Sequence, residues 1–347
     1  MASLKRSKMS LFAQSAYLTP NTVGGGQAYQ VRGDGSWTPL EDHLAADEQL
    51  EDAEAPLSSA VSSITKSYEG TYSRFLRTHS EELWWRFCMG TAVDATVPSD
   101  PQTIPPTWSK TYHSVQDGPS GAYTIVQDRS AYGTGPDNLY QSVYSGCKVR
   151  SWSVGVTIDQ PVMVSADYIA ERVVTTGGAQ INPAPYERAS VGRPAAFGWH
   201  QCRVRIGNEG QVGSHQIGYL KYLRYRQDNK LNTDRRYIDG TTNMEDPDAE
   251  NVPSGQMSME FDYAAQVDTE IIDRFERSQV LSVELTMTRP PYSARFWWPS
   301  VHIARPQITG PKSGGVGTVT STGMLTWDHT TPDRAVTLTL VTEGSQP

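Results

Sequence analysis

Hydrophobic and polar residues alternate with a period of two along several stretches of this chain, which is the pattern of β-strands with one covered face. The clearest stretch is residues 142–157, where valines alternate with polar or small residues. A turn at 159–161 separates it from a second alternating stretch, 162–169. The two stretches together predict a β-hairpin.

Similar alternation predicts strands in both halves of the chain, separated by segments that lack it. The acidic run at 41–54 favours a solvated loop. Residues 93–119 hold five prolines and no periodicity, which predicts an extended connecting loop. The remaining predicted strands are 27–32, 61–75, 201–206, 218–226, 280–288, 294–303, 317–327 and 335–341.

The pattern of a strand followed by a short helix occurs twice along the chain. The first copy spans 70–87 and the second spans 255–275. A polar cap, acidic residues in the first turn and an Arg before the closing Phe favour a helix in both copies, because these charges complement the helix dipole. In each copy the alternation gives way to an apolar pair four residues apart: Leu83 with Phe87, and Ile271 with Phe275.

The strands that follow the two copies also correspond in order. The 144–156 strand matches the one that contains residues 297–303, and 162–169 matches 318–327. A Gly- and Pro-rich stretch, 177–194, marks the best boundary between the halves. A repeat on this scale predicts one fold written twice.

We therefore predict a mainly β protein. It has two tandem β-sandwich or partly open barrel domains, each with one short α-helix, plus extended loops and an N-terminal arm. The predicted parts are the N-terminal arm and loops with early strands (1–60), a first β domain (61–176), a linker (177–198) and a second β domain (199–347).

Composition narrows the function. The net charge of -8 argues against a surface that clamps nucleic acid by counterion release, although an acidic wall lets a polyanion pass. The mean hydropathy of -0.50 and the lack of a long apolar run predict no membrane span. Basic residues near the start are not followed by an apolar stretch, so we expect no signal peptide. The 3 cysteines lack metal-ligand spacing and predict buried free thiols in a protein made in a reducing compartment.

Patterns that carry catalytic chemistry are missing from the sequence. Its 7 histidines are scattered, and no nucleophile elbow, phosphate loop or dinucleotide fingerprint occurs. We therefore predict a protein that is not an enzyme, with no catalytic, cofactor-binding or metal site. The alternating carboxylates of Asp246, Asp248 and Glu250 resemble a calcium loop. However, the mid-loop glycine is missing and Met257 stands where a bidentate glutamate is needed, so a solvated acidic loop is favoured.

Three other features have a functional and a structural interpretation. The tryptophan pairs 84–85 and 297–298 are either sugar-stacking platforms or, as we favour, core packing for one member and a subunit contact for the other. The basic strand 221–226 either touches phosphates or, as we favour, pairs with acidic loops at a ring interface. The tripeptide at 32–34 matches an adhesion motif but favours a plain turn.

Residues 144–154 and 161–169, a Gly-led alternating strand, a short polar turn and a second alternating strand, resemble the major tail tube proteins of long-tailed (siphovirus-like) bacteriophages. The strand-helix step at 69–83 and its later counterpart, 253–259 with 273–275, resemble the same family. The resemblance covers about residues 61–342, and it fits the fused two-domain type of tube protein.

The resemblance implies a virion structural protein whose rings stack into the tail tube, the channel for genome delivery. Inner sheets of neighbouring subunits would join into a continuous barrel. Two fused domains imply a ring of three chains, whereas a single tube domain per chain implies six. The N-terminal arm and the loops 93–119 and 227–253 are the candidates for ring stacking.

The partners so implied are further copies of the chain and the tape measure, tail terminator and tail tip proteins. Genomic DNA would pass through the lumen without specific binding, and no membrane is involved. The location would be the virion tail, after assembly in the host cytoplasm. The alternative is a tail-tip receptor-binding or carbohydrate-binding β-sandwich that uses exposed tryptophans.

Overall fold

The computed structural model of the chain is built mainly of β-strands, as predicted. Its described residues are 8–14, 27–30, 37–45, 61–78, 81–90, 97–100, 107–114, 121–128, 141–174, 195–211, 213, 215–232, 246–247, 250, 252–264, 267–310, 317–325 and 335–343.

Ten strands and one helix lie in the described part of the first half. They are β1 (Lys8–Ala13), β2 (Gln27–Gln30), β3 (Trp37–Ala45), β4 (Val61–Phe75), α1 (Glu82–Met89), β5 (Val97–Asp100), β6 (Thr107–His113), β7 (Tyr123–Asp128), β8 (Gln141–Thr157), β9 (Met163–Ala170) and β10 (Arg172–Val174).

Nine strands, a 3-10 turn and a short helix with a π turn before it lie in the described part of the second half. They are the 3-10 turn (Trp199–Gln201), β11 (Cys202–Asn208), β12 (His215–Ile217), β13 (Leu220–Asp228), β14 (Ser254–Asp262), the π turn (Asp268–Ile272), α2 (Asp273–Glu276), β15 (Leu281–Arg289), β16 (Tyr292–Ile303), β17 (Gln307–Thr309), β18 (Thr318–Leu325) and β19 (Thr337–Glu343).

All observed strand pairs are antiparallel. The principal sheet runs in the order β3–β4–β9–β8–β13–β14–β18–β17. A second row, β12–β11–β15–β16–β19–β6–β5, joins it where the end of β16 pairs with β18. The first part of β8 also carries a smaller group, β2–β1–β7 on one side and β10 on the other.

Among the described residues, strand pairing connects the two halves of the chain at two places. β8 pairs with β13 from Thr157 opposite Tyr222 to Ser151 opposite Asp228. β6 pairs with β19 along its whole length. Most of the predicted linker lies outside the described residues, and the division into two domains stays a prediction.

The repeated unit of the sequence has the same strand pairing in both copies. β4 leads into α1 and pairs with β9, and β14 leads into the π turn and α2 and pairs with β18. α1 matches the predicted helix, with Glu82 in its first turn and Arg86 in its last. The second helix differs because its first turn is π-helical.

The core is a continuous cluster of buried side chains from both halves. Trp85 of α1 stands edge-on to Trp152 of β8, with ring centroids 5.5 Å apart, and to Phe296 of β16, at 5.2 Å. Tyr225 of β13 lies 5.2 Å from both Trp152 and Trp298. Aromatic rings at these distances and angles attract each other beyond their simple burial.

Two segments predicted as loops contain strands. Residues 93–119 include β5 and β6, and β6 pairs with the last strand of the chain. The pattern missed it because the four middle residues of β6 are all partly exposed, so buried and exposed residues do not alternate along it. The acidic run 41–54 begins inside β3, where pairing with β4 holds residues 41–45 in a strand. The rest of that run lies outside the described residues.

Candidate functional site

One face of the principal sheet is polar although its other face lies on the core. Along β14, and along β13 from Leu223 onward, each second residue is buried, and the residues between them are partly or fully exposed. β18 follows the same rule, as does β9 from Met163 to Tyr168. The side chains on the polar face are mostly small or hydrophilic: Thr71, Ser73, Ser153, Ser165, Asp167, Arg224, Arg226, Ser258, Glu260, Thr320 and Thr322.

Asp167 is the centre of a hydrogen-bond network on this face. Its carboxylate accepts hydrogen bonds from the hydroxyl of Thr71, at 2.7 Å, and from that of Ser151, at 2.5 Å. The Arg226 guanidinium, which comes from the other half of the chain, lies 3.2 Å from the same carboxylate. The network therefore spans β4, β9, β8 and β13 and holds the two halves in one register.

The charges of the face are largely balanced within the chain. Arg150 lies 2.6 Å from the carboxylate of Glu69, and Lys221 pairs with Asp262. Two members of the predicted basic strand, Lys221 and Arg226, therefore have acidic partners on neighbouring strands of the same chain. Arg224 is exposed and lines an open groove of about 500 Å³ on this face.

In the part of the chain that the structure describes, both ends of the principal sheet are open edges. Within the described residues β3 pairs only with β4, and β17 pairs only with β18. All three residues of β17 are exposed, and Ile308 is 58% exposed. An unpaired edge presents backbone N–H and C=O groups that can accept another strand.

A second surface, which we call the apolar rim, lies at one end of the same strands. Backbone hydrogen bonds connect its positions: the amide of Asp262 donates to Tyr219, that of Tyr263 to Gly317, and that of Ile158 to Lys221. A cleft of about 210 Å³ opens between Trp199 and Tyr219. Four of the seven exposed large hydrophobic residues in the described part of the chain belong to the rim: Ile158, Trp199, Tyr219 and Tyr263.

A buried ion pair fixes the step from β4 to α1. The Arg74 guanidinium donates to Glu81 at 2.9 Å and lies 4.4 Å from the centre of the Trp84 ring. The amide of Arg77 also donates to the Glu81 carboxylate, at 2.9 Å. Burial raises the pKa of the Glu81 carboxyl, and the Arg74 charge opposes that rise. The sequence pattern missed this pair because Arg74 occupies a core position of an alternating strand.

The candidate calcium loop has one carboxylate in an ion pair. Asp246 lies 2.5 Å from the ammonium group of Lys148, a buried residue of β8 that also donates to the carbonyl of Pro247 at 2.8 Å. Asp248 lies outside the described residues, as does the tripeptide 32–34. No group of three or more His, Cys, Asp or Glu side chains suited to a metal ion occurs in the described part.

The tryptophan pairs are mostly core residues. Trp84, Trp85 and Trp298 are fully buried, and Trp297 is half-buried. The prediction that one member of each pair faces outward is therefore wrong for 84–85. Its physical reason is that α1 packs against β1, β6 and β8 and is covered on several sides. Sugar stacking on Trp85 or Trp298 is excluded by their burial.

The three cysteines are free thiols, as predicted. Cys88 and Cys147 are buried and Cys202 is half-buried. Burial raises the pKa of the Cys202 thiol to about 12 and raises those of the other two thiols further. Thiols of this kind are poor nucleophiles, because the thiolate is the reactive form.

A sequence profile of phage tail tube proteins matches residues 13–328. The chain belongs to this family. The tail tube protein is therefore a structural component of the phage tail, and the resemblance seen at 144–154 and 161–169 is confirmed. Curated proteins show no match to the chain. In the described part of the tail tube protein no helix is long and apolar enough to cross a bilayer.

Proposed function

We propose that this tail tube protein self-assembles into closed rings of three chains, which stack into the tube through which the phage genome is delivered. The observation that supports this most directly is the principal sheet. It consists of two equivalent four-strand units, β3–β4–β9–β8 and β13–β14–β18–β17, joined side by side within one chain. Because one unit already pairs with the next inside the chain, the same kind of strand pairing can join the last unit of one chain to the first unit of another.

The size of the resulting barrel fits a channel. Three chains of eight strands give 24 strands, which at about 4.8 Å spacing and about 40° tilt close into a barrel of roughly 48 Å backbone diameter. The polar face lines this lumen, because the opposite face carries the hydrophobic core. Its balanced ion pairs leave little free positive charge, which fits passage of DNA without specific binding.

Ring-on-ring stacking uses the ends of the barrel. The apolar rim supplies the exposed hydrophobic side chains that stable contacts bury at their centre. The N-terminal arm and the segments 93–119 and 227–253 remain our candidates for further stacking contacts. The tape measure, tail terminator and tail tip proteins would meet the tube inside or at its ends, after assembly in the host cytoplasm.

Electron microscopy of the purified protein tests the proposal. We expect rings and tubes with a lumen, in which each ring contains three chains although its density repeats six times. Particles that stay monomeric in the presence of the tail completion factors would overturn the proposal.

A further inference from the structure

We infer that the open edge of β17 in one chain pairs antiparallel with the open edge of β3 in the next copy, with Ile308 opposite Trp37. The inference rests on the proposed ring assembly and specifies the contact that closes it. Its evidence is the β8–β13 pairing inside the chain, which serves as a template for the contact between chains.

The inner strands of the two units, β4 and β14, occupy equivalent places. β4 pairs with β9 up to Phe75 opposite Met163, and β14 pairs with β18 up to Asp262 opposite Thr318. Both strands then turn toward a helix. These two last pairs therefore occupy the same place in their units.

β17 aligns with the end of β8. β17 follows β16 along the chain and both strands pair with β18, so the predicted match of 144–156 with the strand that contains 297–303 extends from the end of β16 into β17. On β8, Ser153 lies opposite Ser165 of β9. On β17, Gln307 lies opposite Thr320 of β18, two residues from the last β14 pair, as Ser165 is two residues from the last β4 pair. Ile308 consequently takes the place of Val154.

β3 aligns with β13 in the same way. Tyr225 of β13 lies opposite Met257, which is five residues before the last pair of β14. Trp37 of β3 lies opposite Gly70, which is five residues before the last pair of β4. Trp37 therefore takes the place of Tyr225, and the next residue, Thr38, takes that of Arg226.

Applying the register of the internal β8–β13 pairing to β17 and β3 gives the register between chains. Within the chain Tyr225 lies opposite Val154, and Arg226 lies opposite Ser153. Between chains, the same geometry places Trp37 opposite Ile308 and Thr38 opposite Gln307.

The two edges have the properties that this contact needs. Val154 is fully buried at the internal junction, whereas its equivalent, Ile308, is 58% exposed. β17 carries no charged residue, and the two residues of β3 that it would meet, Trp37 and Thr38, are neither charged nor proline. Pro39, Glu41 and Asp42, which are of the kinds that protect an edge from pairing, lie beyond those two positions. Burial of Ile308 in a neighbouring chain removes this exposed apolar surface.

The contact is not made within one chain, where β3 pairs only with β4 and β17 only with β18 among the described residues. The two strands lie at opposite ends of the eight-stranded sheet, seven strand spacings or roughly 34 Å apart along it. Each chain therefore offers one edge of each kind, and pairing is head-to-tail. A head-to-tail contact of this kind closes into a ring when the rotation per chain divides a full turn.

Cross-linking in assembled protein tests the register. We combine Thr38→Cys with Gln307→Cys in a Cys202→Ser background and oxidise the assembled protein. The products are separated on a denaturing gel without reductant. Opposed residues of antiparallel strands have Cα separations of about 4.5 or 5.5 Å, within the range that a disulfide bridges. We expect a ladder of monomer, dimer and trimer that stops at the trimer.

Matched variants control the geometry. Ser153→Cys with Arg226→Cys is the internal equivalent and should form its disulfide within one chain. Thr38→Cys with Met324→Cys joins the same β3 position to an exposed residue at the other end of β18, and should give no ladder. The Cα separation of opposed residues alternates between about 4.5 and 5.5 Å along an antiparallel pair. Cross-linking of Trp37→Cys with Ile308→Cys is therefore measured as well. This second pair also replaces the first if Thr38→Cys with Gln307→Cys prevents assembly.

The outcomes separate this inference from the proposed function. Tubes with a ladder for either β3–β17 pair, and none for the Met324 control, support the inference. Tubes without such a ladder, or with an equal ladder for the control, overturn the inference and leave the tube function standing. Unmodified protein that forms no rings overturns both.

Discussion

Replacement of Trp85 by alanine tests whether the two halves of the chain share one core. The Trp85 side chain is fully buried, and its ring contacts Trp152 from the first half and Phe296 from the second. Truncation of a buried aromatic residue to alanine costs about 3–5 kcal/mol. The two lost edge-to-face contacts, each about 0.5–1.5 kcal/mol, form part of that loss and move the expectation to its upper end.

We therefore expect Trp85→Ala to lower the free energy of unfolding by about 4–5 kcal/mol, and Trp85→Phe by about 2 kcal/mol because most of the volume is retained. The assay is urea unfolding of unassembled protein, followed by far-UV circular dichroism and by fluorescence. Trp199→Ala is the control, since Trp199 is 41% exposed and its loss should change stability by less than about 0.5 kcal/mol. A loss below about 1 kcal/mol for Trp85→Ala, or two separate transitions of which only one shifts, would refute the shared core.

The remaining predictions concern buried polar groups. Glu81→Gln leaves the Arg74 charge buried without its partner and should cost about 3–5 kcal/mol in the same assay, whereas Arg74→Met with Glu81→Leu should restore much of it; equal loss in the double variant would contradict this. Cys202, with its pKa raised from 9.0 to about 12, should react slowly with iodoacetamide at pH 8, faster as the pH approaches 12, and at once after unfolding; fast labelling of folded protein at pH 8 would be the contrary result. Lys148→Met removes the ion pair to Asp246 and should speed limited proteolysis near residue 246, and an unchanged cleavage rate would show that the pair does not hold this segment.

Period-two alternation predicted most of the principal sheet, because its strands have one polar and one buried face. β8, β9, β14 and β18 were all found near their predicted bounds. β5 and β6 were missed because prolines and mixed polarity conceal a strand that pairs far along the chain, here with β19. Such partners depend on tertiary contacts that local pattern does not encode.

The polar face was harder to predict than the sheet. Alternation indicated that Arg226 and Asp167 point away from the core, yet only the β8–β13 pairing shows that they meet. The Arg74–Glu81 pair was unpredictable for the opposite reason, since a charged residue at a core position looks like a break in the pattern. The repeat was readable from the sequence because both copies keep the same order of strand and helix.

The β8–β13 pairing inside the chain also affects how quickly a tube can begin to grow. In the proposed ring every second seam forms during folding, at any protein concentration, and only the seams between chains require an encounter. Each encounter costs an estimated 4–15 kcal/mol of translational and rotational freedom. A ring of three long chains needs two such encounters and a ring of six short chains needs five, so the nucleation penalty of the three-chain ring is about two fifths as large. The critical concentration for nucleation is lowered accordingly, and the internal and external seams are free to diverge in sequence, as Val154 and Ile308 already have.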